Sequence, residues 1–195
     1  SNEVFNIARE HLEKKSQIFV VCPYIEESEN SDIKAAEKVY ELYKSEFNKY
    51  NVELLHGKMK ADEKENKMLK MKNGEIDIMV STVVIEVGID ITNATLMIIE
   101  SAERFGLNQL HQLRGRVGRG DKQSECIFHI TEGKSFSKIT KDGQERLNAI
   151  EQNDDGFKLS ELDLQIRGEG KVTGTSQSGL SDLKIANLRT DYEIL

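Results

Sequence analysis

Along the first two-thirds of the chain, short apolar runs alternate with amphipathic stretches, and this alternation restricts the fold more than any other feature. The apolar runs fall at 17–22, 52–55, 76–81, 95–99 and 125–131, each short enough to be one buried strand. Between them lie segments with helical spacing. Residues 3–15 bring Val4, Ile7, Ala8 and Leu12 to one face. Residues 32–47 repeat Ile33, Ala36, Val39, Tyr40, Tyr43 and Phe47, with Ser31 as the expected N-cap. Residues 61–72 form a charged helix expected to turn Met68 and Leu69 inward and to leave through a left-handed Asn73-Gly74. A further helix is expected over 107–117. Strands and helices in this order predict an α/β fold, a mostly parallel sheet covered by helices on both faces.

The pattern changes near residue 132. Beyond it no strand pattern follows, and 136–152 and 159–166 read as two helices joined by the turn 153–156, a helical hairpin. Residues 168–179 carry four glycines and are expected to form a polar loop, with a last short helix at 182–188. Two units are therefore expected: 1–132, the sheet domain, and 133–195, the hairpin with its loop and terminal helix.

At 195 residues the chain is one domain with an appendage. No apolar run approaches the length of a membrane span, and the first fifteen residues lack the apolar core of a signal peptide. The Ser-Asn start without Met suggests a piece of a longer protein. A formal charge of −7 argues against nucleic-acid binding over the whole surface, but a local basic face needs only a few cations. Cys22 and Cys126 both fall in expected strands and read as buried free thiols in a reducing compartment. His11, His56, His111 and His129 show no metal-ligand spacing.

The densest chemistry lies in QLHQLRGRVGRG at 109–120. Arg114, Arg116 and Arg119 sit among Gly115 and Gly118, and a guanidinium is a permanent cation whose planar fork matches phosphate oxygens. Arg116 and Arg119 are three apart and are expected to share one helical face and hold one anion together. The glycines are expected to admit a nucleotide or a facing backbone. A solvated basic helix end would also explain the cations, though not glycines inside a helix. In VSTVVIEVGIDI at 80–91, hydroxyls at a strand end suit a phosphate, and Gly88-Ile89-Asp90 places a carboxylate where a ribose hydroxyl could bond. An ordinary strand, turn and cap explains the same residues. His56-Gly57-Lys58 follows a strand, at the edge where open α/β sheets bind ligands, and reads equally as a phosphate-tracking loop or a plain turn.

The chain lacks a phosphate loop. Its Gly133-Lys134-Ser135 has Phe128 where the first glycine should stand, so Gly133 reads as a turn residue. Glu100 ends a strand as a magnesium acid would, but has no phosphate loop to work with. The chain by itself is not expected to cleave ATP.

Together, LLHGKM at 54–59, VSTVVIEVGIDI at 80–91 and ERFGLNQLHQLRGRVGRG at 103–120 resemble the second RecA-like motor domain of superfamily 2 helicases. The longer strings resemble the RecG family of ATP-dependent DNA helicases, and DLQIRGEG at 163–170 with GTSQSG at 174–179 is similar to that family's translocation motif. The resemblance spans essentially the whole chain. It implies a RecA-like fold and one half of a motor that remodels branched double-stranded DNA, such as replication forks and Holliday junctions, in recombination and repair.

Carried over by position, Arg116 and Arg119 correspond to arginine fingers that reach the γ-phosphate of ATP held with Mg by a first motor domain, and Gln112 opens the same motif. Gly88 and Asp90 correspond to the turn near the ribose. Thr82, His56, Gly57 and Lys58 correspond to contacts with DNA phosphates. Arg146 and Arg167 correspond to the hairpin arginines, and Gln177 to the loop glutamine, that turn cleft closure into movement. Glu169, Ser176 and Thr92 depart from the family's usual proline, arginine and proline.

The implied partners are the first motor domain and wedge domain of the same protein. The implied setting is a monomer in the bacterial cytoplasm, with no membrane. Two other readings stay open: the motor domain of a transcription-repair coupling translocase, and a non-catalytic nucleotide-binding α/β module.

Overall fold

The computed structural model describes residues 2–23, 29–82, 93–118, 123–131 and 133–173, without the side chains of 29–31 and 167–173. Helix α1 (Asn2–Glu13) leads into β1 (Gln17–Val21), and α2 (Glu29–Glu46) into β2 (Val52–Leu55). Then come α3 (Ala61–Lys72), β3 (Ile78–Ser81) and β4 (Ala94–Glu100). A 3-10 turn at Ala102–Arg104 precedes α4 (Leu107–Arg114), which is followed by β5 (Glu125–His129). A second 3-10 turn, Phe136–Lys138, precedes α5 (Lys141–Gln152) and α6 (Gly156–Thr173). Among the described residues the five strands form one sheet in the order β2-β3-β1-β4-β5, and every pairing is parallel.

Each central strand is apolar over most of its length because both of its faces are covered, with polar residues such as Gln17, Ser81 and Glu100 at the ends. Side chains alternate across a strand, and the two cores sort accordingly. Ile18 and Val20 of β1, Ile78 and Val80 of β3, and Leu96 and Ile98 of β4 pack against α1 and α2 through Val4, Phe5, Ala8, Leu12, Tyr43 and Phe47. Phe5, Tyr43 and Phe47 form a ring cluster, with centroids 5.4–5.9 Å apart. The opposite face carries Phe19, Val21, Met79, Met97 and Ile99 and meets α3, α4 and the hairpin through Met68, Met71, Leu110, Leu113, Ile150 and Leu159. The hairpin thus shares one core with the sheet.

Several sequence expectations need correcting. Ser31 does not cap α2; it lies inside a helix that already begins at Glu29. Met71, not Leu69, joins Met68 inside, because Met68 and Met71 are one turn apart on the buried face while Leu69 points to solvent. Asn73 keeps a right-handed backbone, and Gly74 alone takes the left-handed exit at φ +78°. The helix expected over 136–152 is interrupted at Ile139-Thr140, where Thr140 accepts a hydrogen bond from the Gly143 N–H and so starts α5 afresh. α6 continues through Thr173, so the first residues of the expected glycine loop are helical. The expected helix at 182–188 lies outside the described residues. No described helix is long and apolar enough to cross a membrane.

Candidate functional site

Two edges of the sheet carry the candidate residues. At the C-terminal edge, Leu55 of β2 pairs with Ser81 of β3, and the Thr82 N–H donates to the Leu55 carbonyl at 3.1 Å. This register sets His56 and Thr82 side by side. Thr82 is 2% exposed, yet its Oγ1 and the Nδ1 of His56 are both buried without a hydrogen-bond partner among the described residues. A buried polar group left without any partner costs about 1–3 kcal/mol. The turn that follows is held in shape: the Met59 N–H donates to the His56 carbonyl, and Lys64 from the first turn of α3 donates to the Gly57 carbonyl at 2.6 Å. Lys58 also has an interaction partner.

The second group lies at the opposite edge. α4 starts beyond the end of β4 and runs back toward the start of β5, carrying Gln112, and Arg116 follows two residues past its end. Gln112 is exposed, Arg116 is half-buried, and neither side chain makes a hydrogen bond or ion pair among the described residues. The helix stops at Arg114, Gly115 follows with φ −72° and ψ 0°, and Gly118 turns left-handed at φ +82°. Arg116 and Arg119 therefore do not share a helical face as expected; the helical path ends before them, and Arg119 lies outside the described residues.

Only one of the two glycines is needed sterically. A Cβ on Gly118 would sit 2.2 Å from the Ser124 Oγ, whereas one on Gly115 meets nothing closer than 3.6 Å. Gly88 and Asp90, expected near the ribose, lie outside the described residues.

The hairpin residues divide in the same way. Arg146 is not a free surface cation. Its Nη2 donates to the Glu103 carbonyl at 3.1 Å, in the turn that feeds α4, and its Nε is buried without a partner among the described residues. Arg167 falls within α6 and not at its end, with its side chain outside the described set, and Gln177 also lies outside.

Glu100 is held internally: its Oε2 lies 2.6 Å from His129 Nδ1, and it accepts from the Tyr43 hydroxyl at 3.4 Å. Burial, with the Glu100 charge adding to it, pushes the Cys22 thiol and the Tyr43 phenol up. Burial also pushes Cys126 up to about 12, against the pull of Arg114. Both thiols are free and stay protonated at neutral pH. Cys22 sits just past β1 and Cys126 is only half-buried, a partial correction to the expectation of two buried strand thiols. Gly133, at φ +78°, is a turn glycine as expected. Among the described residues no group of three His, Cys, Asp or Glu side chains is placed to hold a metal ion.

Sequence reasoning missed the work done by Arg114 and His111. Arg114 was grouped with the phosphate-reading arginines, but it binds the C-terminal end of α5 instead. The available signal was position: residues three apart on α4 meet on one face.

The helicase conserved C-terminal domain family matches residues 3–121, and the C-terminal part of domain 3 of the ATP-dependent DNA helicase RecG matches residues 153–195. The RecG of Synechocystis sp. is 46% identical over 99% of this chain, and that of Staphylococcus aureus (strain N315) is 49% identical over 94%. The chain spans about a quarter of these relatives, 23% and 26% of their lengths.

A solved structure of RecG bound to a three-way DNA junction superposes with a TM-score of 0.73 and 40% identity, covering 99% of this chain and 24% of that one. The C-terminal domain of yeast Dbp5 bound to Gle1 superposes at 0.51 over 84% of this chain and 90% of its own, and at 16% identity it shows the fold alone. These likenesses favour RecG over the coupling translocase and over a non-catalytic module. The parallel sheet, its helical layers and the appended hairpin are those of a RecA-like lobe, and the chain belongs to the helicase conserved C-terminal domain family, with RecG as its kin in sequence and in fold.

Proposed function

We propose that this chain is the second motor lobe of an ATP-driven helicase of RecG type that remodels branched DNA. The observation that carries the reading is Arg116. It is a half-exposed guanidinium with no internal partner among the described residues, set just past the end of α4. An unpaired arginine on a turn braced by its own backbone bonds is suited to an anion brought by another lobe. In phosphoryl transfer, negative charge builds on the γ-phosphoryl oxygens, and a guanidinium aimed at them lowers the barrier. ATP with Mg, held mainly by the preceding lobe, supplies the phosphoryl chemistry. Arg116, with Arg119 and Gln112, supplies positive charge and polar coupling from this side, and Gly88 and Asp90 meet the ribose.

On the same reading, DNA tracks the opposite edge. Thr82 at the end of β3, with His56, Gly57 and Lys58 in the turn after β2, brings polar side chains and backbone groups to one sheet edge, a set suited to backbone phosphates. Arg146, Arg167 and Gln177 would convert closure of the two lobes into movement of the hairpin on the duplex. The wedge domain and the first motor domain are the partners of this lobe, working as a monomer in the bacterial cytoplasm. We keep 1–132 and 133–195 as the functional division, although the hydrophobic core crosses it.

The test is Arg116→Ala in the two-lobed protein. ATP hydrolysis is expected to fall about 10³-fold or more, the range for arginine fingers in phosphate-loop enzymes, with DNA affinity nearly unchanged. Hydrolysis within twofold of wild type ends the assignment.

A further inference from the structure

Arg114 is the last residue of α4, and its guanidinium is used up inside the molecule. Nη1 donates to the Ile150 carbonyl at 2.6 Å and lies 3.2 Å from Asp154 Oδ1. Nη2 donates to the Asn153 carbonyl at 2.9 Å and lies 3.2 Å from His111 Nδ1. Ile150 is in the last turn of α5, where carbonyls have no helical donor and the helix dipole is negative. The Asn153 side chain satisfies the neighbouring Ala149 carbonyl at 2.9 Å. The C-terminus of α5 is thus capped largely by a cation from another helix. A second contact runs beside it: Gly156, the first residue of α6, backs onto His111 so closely that a Cβ there would lie 2.8 Å from Nε2. Two residues beyond Arg114 stands Arg116, joined to α4 by the Gly115 N–H to His111 carbonyl bond and the Arg116 N–H to Leu113 carbonyl bond.

We propose that Arg114 is a positioning residue that fastens the turn bearing Arg116 to the α5–α6 turn, so that displacement of either reaches the other. The proposal deepens the motor reading and rests on it. Nη1 of the guanidinium fork reaches one carbonyl and a carboxylate, and Nη2 reaches the second carbonyl and an imidazole. A lysine ammonium, a point charge on a flexible stem, cannot hold that set in one geometry. Asp154 is fully exposed on its side of the ion pair, so that pair contributes little and the two carbonyl bonds carry the link.

The experiment measures DNA-stimulated ATP hydrolysis and duplex unwinding side by side in the two-lobed protein, with Tm as a check on folding. Arg114→Gln is expected to keep hydrolysis within threefold while unwinding per ATP falls tenfold or more. Arg114→Lys is expected not to restore the ratio, and Asp154→Asn to leave it unchanged. A merely structural Arg114 predicts that both activities fall in parallel with Tm, and that result overturns the proposal, as does an unchanged ratio. If Arg114→Gln does not fold, Gly156→Ala is read instead, because it displaces His111 and leaves the arginine in place; a drop of threefold or more in the ratio supports the link, and no drop overturns it. Arg116→Ala in the same series separates the two ideas: normal hydrolysis there sinks the motor reading itself, whereas its expected loss beside an unchanged Arg114→Gln ratio overturns this inference alone.

Discussion

Glu103 shows how one side chain sets a pH dependence. Burial works to raise its carboxyl, but a 2.5 Å hydrogen bond from the Thr131 hydroxyl, backbone donors and Lys134 at 3.7 Å outweigh it and hold it below its ordinary 4.5. A carboxylate lowered in the folded state stabilises above its unfolded pKa, and that share is lost as the pH falls through the folded value. Glu103→Gln should therefore be less stable than wild type at neutral pH, with the gap closing below pH 4.5 in urea titrations run across the acid range. A gap that stays constant down to pH 3 would show that charge plays no part. At this scale the sequence was least legible. Arg114 and Arg116 are the same residue type two positions apart; one caps a distant helix and the other is unpaired among the described residues. Nothing local separates them, because the carbonyls that claim Arg114 arrive from about forty residues downstream.

At the scale of elements, sequence reading did well where burial dictates pattern and poorly where chain direction changes. The strands at 17–22, 52–55 and 95–99 are found within a residue or so, because a sheet covered on both faces demands uninterrupted apolar side chains. The α4 helix was read three residues too long. Helical spacing continues through Val117, but the helix ends at Arg114, and the turn after it closes at Gly118, whose left-handed backbone and contact with Ser124 are set by tertiary structure. A pair of substitutions tests that contact. Gly74 and Gly118 have similar positive φ, +78° and +82°, but a Cβ at Gly74 meets nothing within 4 Å. Gly74→Ala should cost about 1 kcal/mol from backbone conformation alone. Gly118→Ala should cost about 1–3 kcal/mol more, for crowding against Ser124, as read from the shift in denaturation midpoint. Equal costs would remove the steric role given to Gly118.

For the molecule as a whole, the question is whether the hairpin is an appendage. Ile150 and Leu159 are fully buried in the same core as Met97, Ile99, Leu110 and Leu113. Ile150→Ala should lower stability by about 2–5 kcal/mol, and fluorescence probes placed on the sheet and on the hairpin should report one coincident transition. Two separated transitions would make 133–195 an independent unit after all. The sequence marked this boundary by the end of the strand pattern, but strand pattern cannot reveal whether the helices beyond it fold back onto the sheet.

The all-parallel sheet has a further mechanical consequence. Because every strand runs the same way, the Thr82 edge and the Arg116 edge are separated by the length of the strands, and β1, with five residues, spans about 17 Å. A packed slab of that length transmits rotation without bending. If, on the proposed function, the lobe pivots about its Arg116 edge by about 10°, the far edge sweeps through about 3 Å, near the ~3.4 Å rise of one base pair along a strand of duplex. Strand length would then set the stroke.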